Sequence, residues 1–90
     1  MSENRDKAEY LDLEQEILGL FRRALANDAL TVDDDFFEAG GDSLLAMEVL
    51  LKAEELTGRL LSPTIIFETG TVRELVKKIV MHDDPENSGG

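Results

Sequence analysis

Residues 38–58 read EAGGDSLLAMEVLLKAEELTG. Two glycines and an aspartate stand before Ser43, and an apolar run follows it. Ala46, Val49, Leu50 and Ala53 recur at spacings of three and four, which puts them on one face of a helix. Ser43 is a candidate N-cap, because its hydroxyl can accept from a backbone N–H in the first turn, and Gly58 can close the helix in the left-handed conformation. The stretch therefore predicts a helix over residues 43–58. It leaves three roles for Ser43: a cap, a catalytic nucleophile, or a handle for an attached group.

Upstream, Leu13, Ile17, Leu20, Phe21, Ala24 and Leu25 give residues 11–26 one apolar face, a first helix. Between the two helices lies NDALTVDDDFFEAGGD, with turn formers, three consecutive aspartates and two glycines. It reads as a long loop pinned to the core by Leu30, Val32, Phe36 and Phe37, and so long a loop in a small domain is usually functional. Downstream, LSPTIIF predicts a short third helix capped by Ser62, with Pro63 at its first position, where a missing N–H is harmless. A fourth helix opens on Thr71 and Glu74 at capping-box spacing. It buries Val72, Leu75, Val76, Ile79 and Val80, with Lys77 and Lys78 toward its C-terminal end. The expected fold is an all-α four-helix bundle over residues 10–81, with a long first loop and flexible polar tails at 1–9 and 82–90.

Composition limits what such a bundle can do. Ninety residues make one domain, which buries roughly 60% of its unfolded surface and leaves little room for an enzyme pocket. Twenty acidic against nine basic residues give a formal net charge of −11, which disfavours nucleic acid and anionic membrane surfaces and favours basic protein partners. No apolar run approaches the roughly 18 residues of a membrane span, and the chain has no cysteine for a disulfide or a thiolate metal site. The opening MSENRDKAEY does not read as an export signal. A cytoplasmic monomer is expected, and Met1 with the short tails suggests a freestanding chain.

Catalysis by Ser43 finds no support. GDSL, residues 41–44, coincides with the signature of a serine esterase family. That family pairs its serine with an Asp-x-x-His element, whereas the only histidine here, His82, is preceded three residues earlier by Ile79. The strained G-x-S-x-G elbow also fails, since Leu45 stands in place of its second glycine. The aspartate run fails as a calcium loop: counting from Asp33, positions five, six and twelve are Phe37, Glu38 and Leu44, where an oxygen ligand, a glycine and a glutamate are required. No catalytic residue and no metal site are expected, and His82 beside Asp83 and Asp84 reads as solvated. What remains is a serine at a helix start, flanked by small residues. It is a poor nucleophile but a good attachment point, because free N–H groups and the helix dipole favour a phosphate there. Gly40 and Gly41 leave room for a modifying enzyme to approach. Capping alone would account for Ser43 at about 1 kcal/mol without accounting for the glycines.

DDDFFEAGGDSLLAM, followed by LTGRLLSPTIIFETGTVREL, resembles the phosphopantetheine-dependent carrier proteins, from about Leu13 to Val80. The resemblance implies that Ser43 receives 4'-phosphopantetheine from coenzyme A through a phosphopantetheinyl transferase, with Asp42 and Gly41 at the attachment site and Asp42 orienting the transferase. It implies a non-catalytic carrier of acyl or aminoacyl thioesters, working with an adenylating or acyl-loading enzyme and with condensing or tailoring enzymes. The paired glycines and FFE resemble the peptidyl carriers of nonribosomal peptide assembly. Asp42 and the acidity resemble fatty-acid and polyketide carriers, so both pathways stay open. Thr57 departs from the aromatic or large aliphatic residue that many carriers have there.

Helix two carries more apolar residues than one buried face needs. Leu44, Met47 and Leu51 form a second stripe. By the same resemblance this stripe, with Glu48 beside it and Ile66 of the third helix, contacts partner enzymes. Glu54 and Glu55 join Glu48 as acids for a partner's basic rim, and Ile65, Ile66 and Phe67 are expected to divide between the core and the mouth of the site. The competing reading is an unmodified helical interaction module in which Ser43 merely caps.

Overall fold

The computed structural model describes the backbone of residues 2–81 and the side chains of residues 10–81. The expected tail at 82–90, with His82, lies outside the described residues, as do Met1 and the side chains of residues 2–9, whereas the backbone of residues 2–9, expected as a flexible tail, extends the first helix back to Ser2. Within the described residues the chain is all-helical: α1 (Ser2–Leu25), α2 (Ser43–Thr57), α3 (Ile65–Thr69) and α4 (Val72–Met81). Helix α1 packs against both α2 and α4, and the short α3 lies on α4. The core between them takes Ile17, Leu18 and Phe21 from α1 and Ala46, Val49, Leu50 and Ala53 from α2. Ile65 and Ile66 of α3 and Val72, Leu75, Val76 and Ile79 of α4 complete it. The α2 face expected from its spacing is therefore the buried one. On α4, Val80 was expected inside and is exposed. It lies one residue beyond Ile79, off the arc that faces α1.

Each helix ends for a local reason. Ala26 takes φ 53°, Asn27 N–H donates to the Arg22 carbonyl at 3.0 Å, and Ala26 N–H donates to the Arg23 carbonyl at 3.3 Å. This paired closure satisfies the last carbonyls of α1, with alanine in the left-handed position where glycine is usual. Gly58 closes α2 with φ 72° and an N–H bond to the Glu54 carbonyl. The Thr57 hydroxyl donates back to the Ala53 carbonyl at 2.9 Å and accepts from Arg59 N–H at 3.3 Å, so the departure at this position is absorbed by the helix end. The start of α3 differs from expectation. Thr64 rather than Ser62 precedes its first residue, and Ser62 and Pro63 lie in the turn before it, where the Ser62 carbonyl accepts from Ile65 N–H at 3.0 Å. Thr71 opens α4 as expected, its hydroxyl oxygen accepting from Glu74 N–H at 3.2 Å.

The long loop is held by both apolar anchors and polar ties. Leu30 and Phe36 are buried, and Val32 and Phe37 are half-buried against the core. Arg22 Nε donates to the Leu30 carbonyl at 2.8 Å, Arg73 N–H to the Val32 carbonyl at 3.1 Å, and Phe36 N–H to the Gly70 carbonyl at 2.7 Å. The three consecutive aspartates have separate duties. Asp33 pairs with the Arg73 guanidinium at 2.7 and 3.4 Å, Asp34 accepts from both N–H and hydroxyl of Thr31, and Asp35 accepts from two N–H groups of its own turn.

The hydrogen bond from Arg73, helped by its charge, holds the Asp33 carboxyl below the usual aspartate range. A depressed folded-state pKa contributes stability at pH above the unfolded value, about 4, and that contribution is lost as pH falls through the folded value. Asp33→Asn is therefore expected to lower the melting temperature modestly at neutral pH, the pair being solvent-exposed. The two proteins should converge as pH drops below about 4, and thermal melts across a pH series check this.

Candidate functional site

Ser43 sits where the loop delivers the chain to α2, and residues 35–42 fold tightly to put it there. Asp35 Oδ2 accepts from Phe37 N–H at 2.9 Å and from Glu38 N–H at 3.0 Å. Ala39 N–H donates to the Asp35 carbonyl, Gly40 N–H to the Phe37 carbonyl, and Gly41 N–H to the Phe36 carbonyl. Gly40 has φ +114°, a conformation that a side chain would strain. Gly41 is small for a different reason. A Cβ on it would run into the Phe36 ring and come within 2.8 Å of the Phe36 carbonyl oxygen. The expectation for both glycines is a cleared approach for a modifying enzyme. The geometry gives each an internal role as well: Gly40 makes the turn, and Gly41 receives a buried aromatic ring.

Asp42, not Ser43, is the N-cap. Its backbone is extended (φ −137°, ψ −175°), its Oδ1 accepts from Leu45 N–H at 2.9 Å, and its carbonyl accepts from Ala46 N–H at 2.9 Å. Ser43 already has helical geometry as the first residue of α2. A carboxylate caps more strongly than a hydroxyl and is favoured by the positive helix end, so the expectation of a capping serine is corrected. The chemical consequence is large. Ser43 is exposed, and its hydroxyl takes part in no hydrogen bond among the described residues. A phosphodiester on this oxygen would displace no structural contact and would stand at the helix N-terminus, so the residues present fit 4'-phosphopantetheine.

Beyond Ser43, α2 presents the apolar stripe expected from its spacing. Leu44 is 70% exposed, Met47 40% and Leu51 56%, with Glu48 exposed among them. The stripe continues past the helix to Leu60, which is 93% exposed and shares a shallow recess with Leu51, Glu54 and Glu55. Glu54, expected to serve a partner's rim, is already engaged: its Oε2 accepts from Leu61 N–H at 2.8 Å, which fixes the turn carrying Leu60. Leu60 escaped the sequence reading because it belongs to no periodic pattern. Its only signal was a large apolar residue directly after a Gly-Arg helix end.

Ile66, expected at the partner surface, is 1% exposed and belongs to the core. Helix α3 is so short that only one of its three apolar residues can escape burial, and that residue is Phe67. Phe67 stacks on Phe37 with ring centroids 5.0 Å apart and planes at 15°. Phe37 meets Phe36 edge-on at 5.2 Å, and Phe36 meets Phe21 edge-on at 4.9 Å. All four phenylalanines of the chain thus form one line from the core of α1, through the Ser43 loop, to the exposed face of α3.

Comparisons with known proteins point to one family. Residues 15–79 match the family described as "Phosphopantetheine attachment site". Among curated proteins, the chain is 37% identical over 68 residues to hybrid PKS-NRPS synthetase 1 of Dothistroma septosporum, covering 74% of this chain and 2% of that protein. It is 32% identical over 76 residues to a linear gramicidin synthase of Brevibacillus parabrevis, covering 83% of this chain and 2% of that protein. It is 30% identical over 77 residues to indigoidine synthase of Streptomyces lavendulae, covering 86% of this chain and 6% of that protein. The chain therefore spans only a few hundredths of the length of these relatives. Among solved structures, BlmI, a type-II acyl-carrier-protein from Streptomyces verticillus involved in bleomycin biosynthesis, superposes with a TM-score of 0.84 at 25% identity, covering 90% of this chain and 98% of that one.

Two substitutions separate the contributions to this corner. Gly41→Ala is expected to destabilise by about 1–3 kcal/mol, because the ring beneath it must move. Asp42→Ala is expected to lose about 1 kcal/mol of capping. Urea denaturation of both variants measures the order.

Proposed function

The chain belongs to the phosphopantetheine attachment-site family, and from that premise we propose that Ser43 is the residue that bears its covalent 4'-phosphopantetheine. A phosphopantetheinyl transferase would join the Ser43 oxygen to the pantetheine-side phosphorus of the coenzyme A pyrophosphate, breaking that phosphorus's bond to the bridging oxygen. The adenosine 3',5'-bisphosphate portion leaves, and the hydroxyl proton passes to a base of the transferase. The thiol at the end of the attached arm holds acyl or aminoacyl groups as thioesters. Carrier domains of this kind are generally non-catalytic. This chain is read as one of them, acting in the cytoplasm and in residues 10–81.

The observation that carries the assignment is the exposed Ser43 hydroxyl at the start of α2, left without a structural bond because Asp42 has taken the cap. Asp42 and Gly41 contribute by fixing the helix start, Asp42 as cap and Gly41 as the seat of Phe36. The pathway is peptide or polyketide assembly, supported by relatives that are hybrid and peptide synthetases and by a fold neighbour involved in bleomycin biosynthesis. The partners are then the transferase, an adenylating or acyl-loading enzyme, and condensing or tailoring enzymes. Their docking surface is the α2 stripe of Leu44, Met47 and Leu51, extended by Leu60, with Glu48 and Glu55 as acids at its edge.

Incubation with coenzyme A, magnesium and a promiscuous phosphopantetheinyl transferase is expected to add one phosphopantetheine mass to the intact chain, and Ser43→Ala is expected to abolish the gain. An unmodified wild type, or a gain that survives Ser43→Ala, overturns the assignment and leaves a helical interaction module. On the partner surface, Met47→Glu is expected to slow loading by a partner enzyme while leaving helicity and thermal stability close to wild type. A stability loss of the roughly 2–5 kcal/mol typical of a core methionine truncation would instead place Met47 in the interior.

A further inference from the structure

Asp35 and Gly70 touch across the loop, joining two corners of the fold. One carboxylate oxygen of Asp35, Oδ2, receives both N–H bonds of the Ser43 turn, from Phe37 and Glu38. The other, Oδ1, lies where a Cβ on Gly70 would stand. Gly70 has φ +79° and closes α3 through an N–H bond to the Ile66 carbonyl. Its own carbonyl accepts from Phe36 N–H at 2.7 Å. Asp35 and Phe36 thus straddle the glycine between α3 and α4, one by side chain and the other by backbone. From Phe36 the connection runs on: its carbonyl accepts from Gly41 N–H at 2.9 Å and its ring packs on Gly41, two residues before Ser43.

We propose that Asp35, seated on Gly70, is a positioning residue for modification of Ser43, fixing the turn that sets the serine at a constant place relative to α3 and α4. Asp35 stands well before the serine on a polar loop and makes no bond to it, so its effect passes through Phe36 and Gly41. The inference rests on Ser43 being the attachment residue. A transferase that docks on the α2 stripe meets an unchanged surface when Asp35 is altered, while the hydroxyl it must reach is no longer held. Misplacement of a reacting group lowers the rate of the chemical step more than binding.

The test is steady-state modification of the full chain by a promiscuous phosphopantetheinyl transferase, followed by intact mass over a range of carrier concentrations, with far-UV circular dichroism on every variant. Asp35→Ala is expected to lower kcat roughly tenfold or more with KM little changed. Asp35→Asn is expected to restore wild-type kcat, because both turn N–H groups use a single oxygen, which the amide retains. Gly70→Ala keeps Asp35 but occupies its seat, and it should give the same fall in kcat at constant KM. This second variant keeps the test decisive if Asp35→Ala loses helicity. Wild-type kcat in Asp35→Ala or in Gly70→Ala overturns the proposal, as does an equal loss in Asp35→Asn, or a rise in KM with kcat unchanged. A wild type that takes up no phosphopantetheine on Ser43 overturns the Ser43 assignment itself, a result distinct from a modified wild type whose Asp35 variants behave identically.

Discussion

Phe36 is the residue on which the loop and the site both depend. Its ring is fully buried, and it meets Phe21 of α1 edge-on. Its N–H bonds the Gly70 carbonyl between α3 and α4, and its carbonyl accepts from Gly41 at the threshold of α2. One residue therefore ties the loop to every helix of the bundle. Full burial of a phenylalanine contributes about 1.5–3 kcal/mol, and each well-formed aromatic pair adds about 0.5–1.5 kcal/mol. The exposed polar ties farther along the loop, such as Asp33 with Arg73, contribute less, since water and salt screen them. The ring decides where the loop lies, and the polar contacts fix the orientation of what the ring has placed. Gly41 follows from the same constraint, because no residue with a Cβ fits over that ring.

The acidic charge is distributed in a way that serves this arrangement. Three adjacent aspartates would repel one another if they shared a site, but Asp33, Asp34 and Asp35 face a guanidinium, a threonine and a pair of turn amides respectively. Asp42 then caps α2, and Glu54 bonds the turn beyond its far end. These five acids are thereby engaged inside the loop framework. Those left exposed beside the apolar stripe, Glu48 and Glu55 among them, have no such duty among the described residues. Charges at the edge of an apolar contact raise encounter rates more than final affinity, which suits the docking role proposed for this stripe.

Much of this was legible in the sequence, for physical reasons that differ by element. The core face of α2 and the helical nature of the three longer segments follow from spacing, because burial of one face leaves a period of three and four on the chain, whereas the short third helix was read from Ser62 and Pro63. The left-handed closure at Gly58 follows from glycine's freedom. Local chemistry was less legible where two adjacent residues compete for one job. Asp42 and Ser43 can each cap a helix, and only the observed backbone, extended at the first and helical at the second, decides between them. Ile66 and Phe67 are adjacent apolar residues on a single-turn helix. Periodicity has no room to tell which is inside. Leu60 was invisible because it belongs to no periodic pattern, and the pairing of Asp35 with Gly70 because it joins segments distant in sequence.

The correction at Asp42 strengthens the reading of Ser43 rather than weakening it. A serine that capped α2 would commit its oxygen lone pairs to a backbone N–H, and attaching a phosphodiester there would cost the helix its cap, about 1 kcal/mol. With Asp42 as the cap, the helix is equally well started whether Ser43 is free or modified. The hydroxyl stays unactivated, with no carboxylate or base among the described residues bonded to it. On the proposed function this suffices, because the base that takes the hydroxyl proton belongs to the transferase and the thioesters form on the thiol of the arm, not on Ser43. The loop, the two glycines and the aspartate before Ser43 therefore divide the work: they fix the position of the oxygen, and on the proposed function its reactivity is left to the transferase.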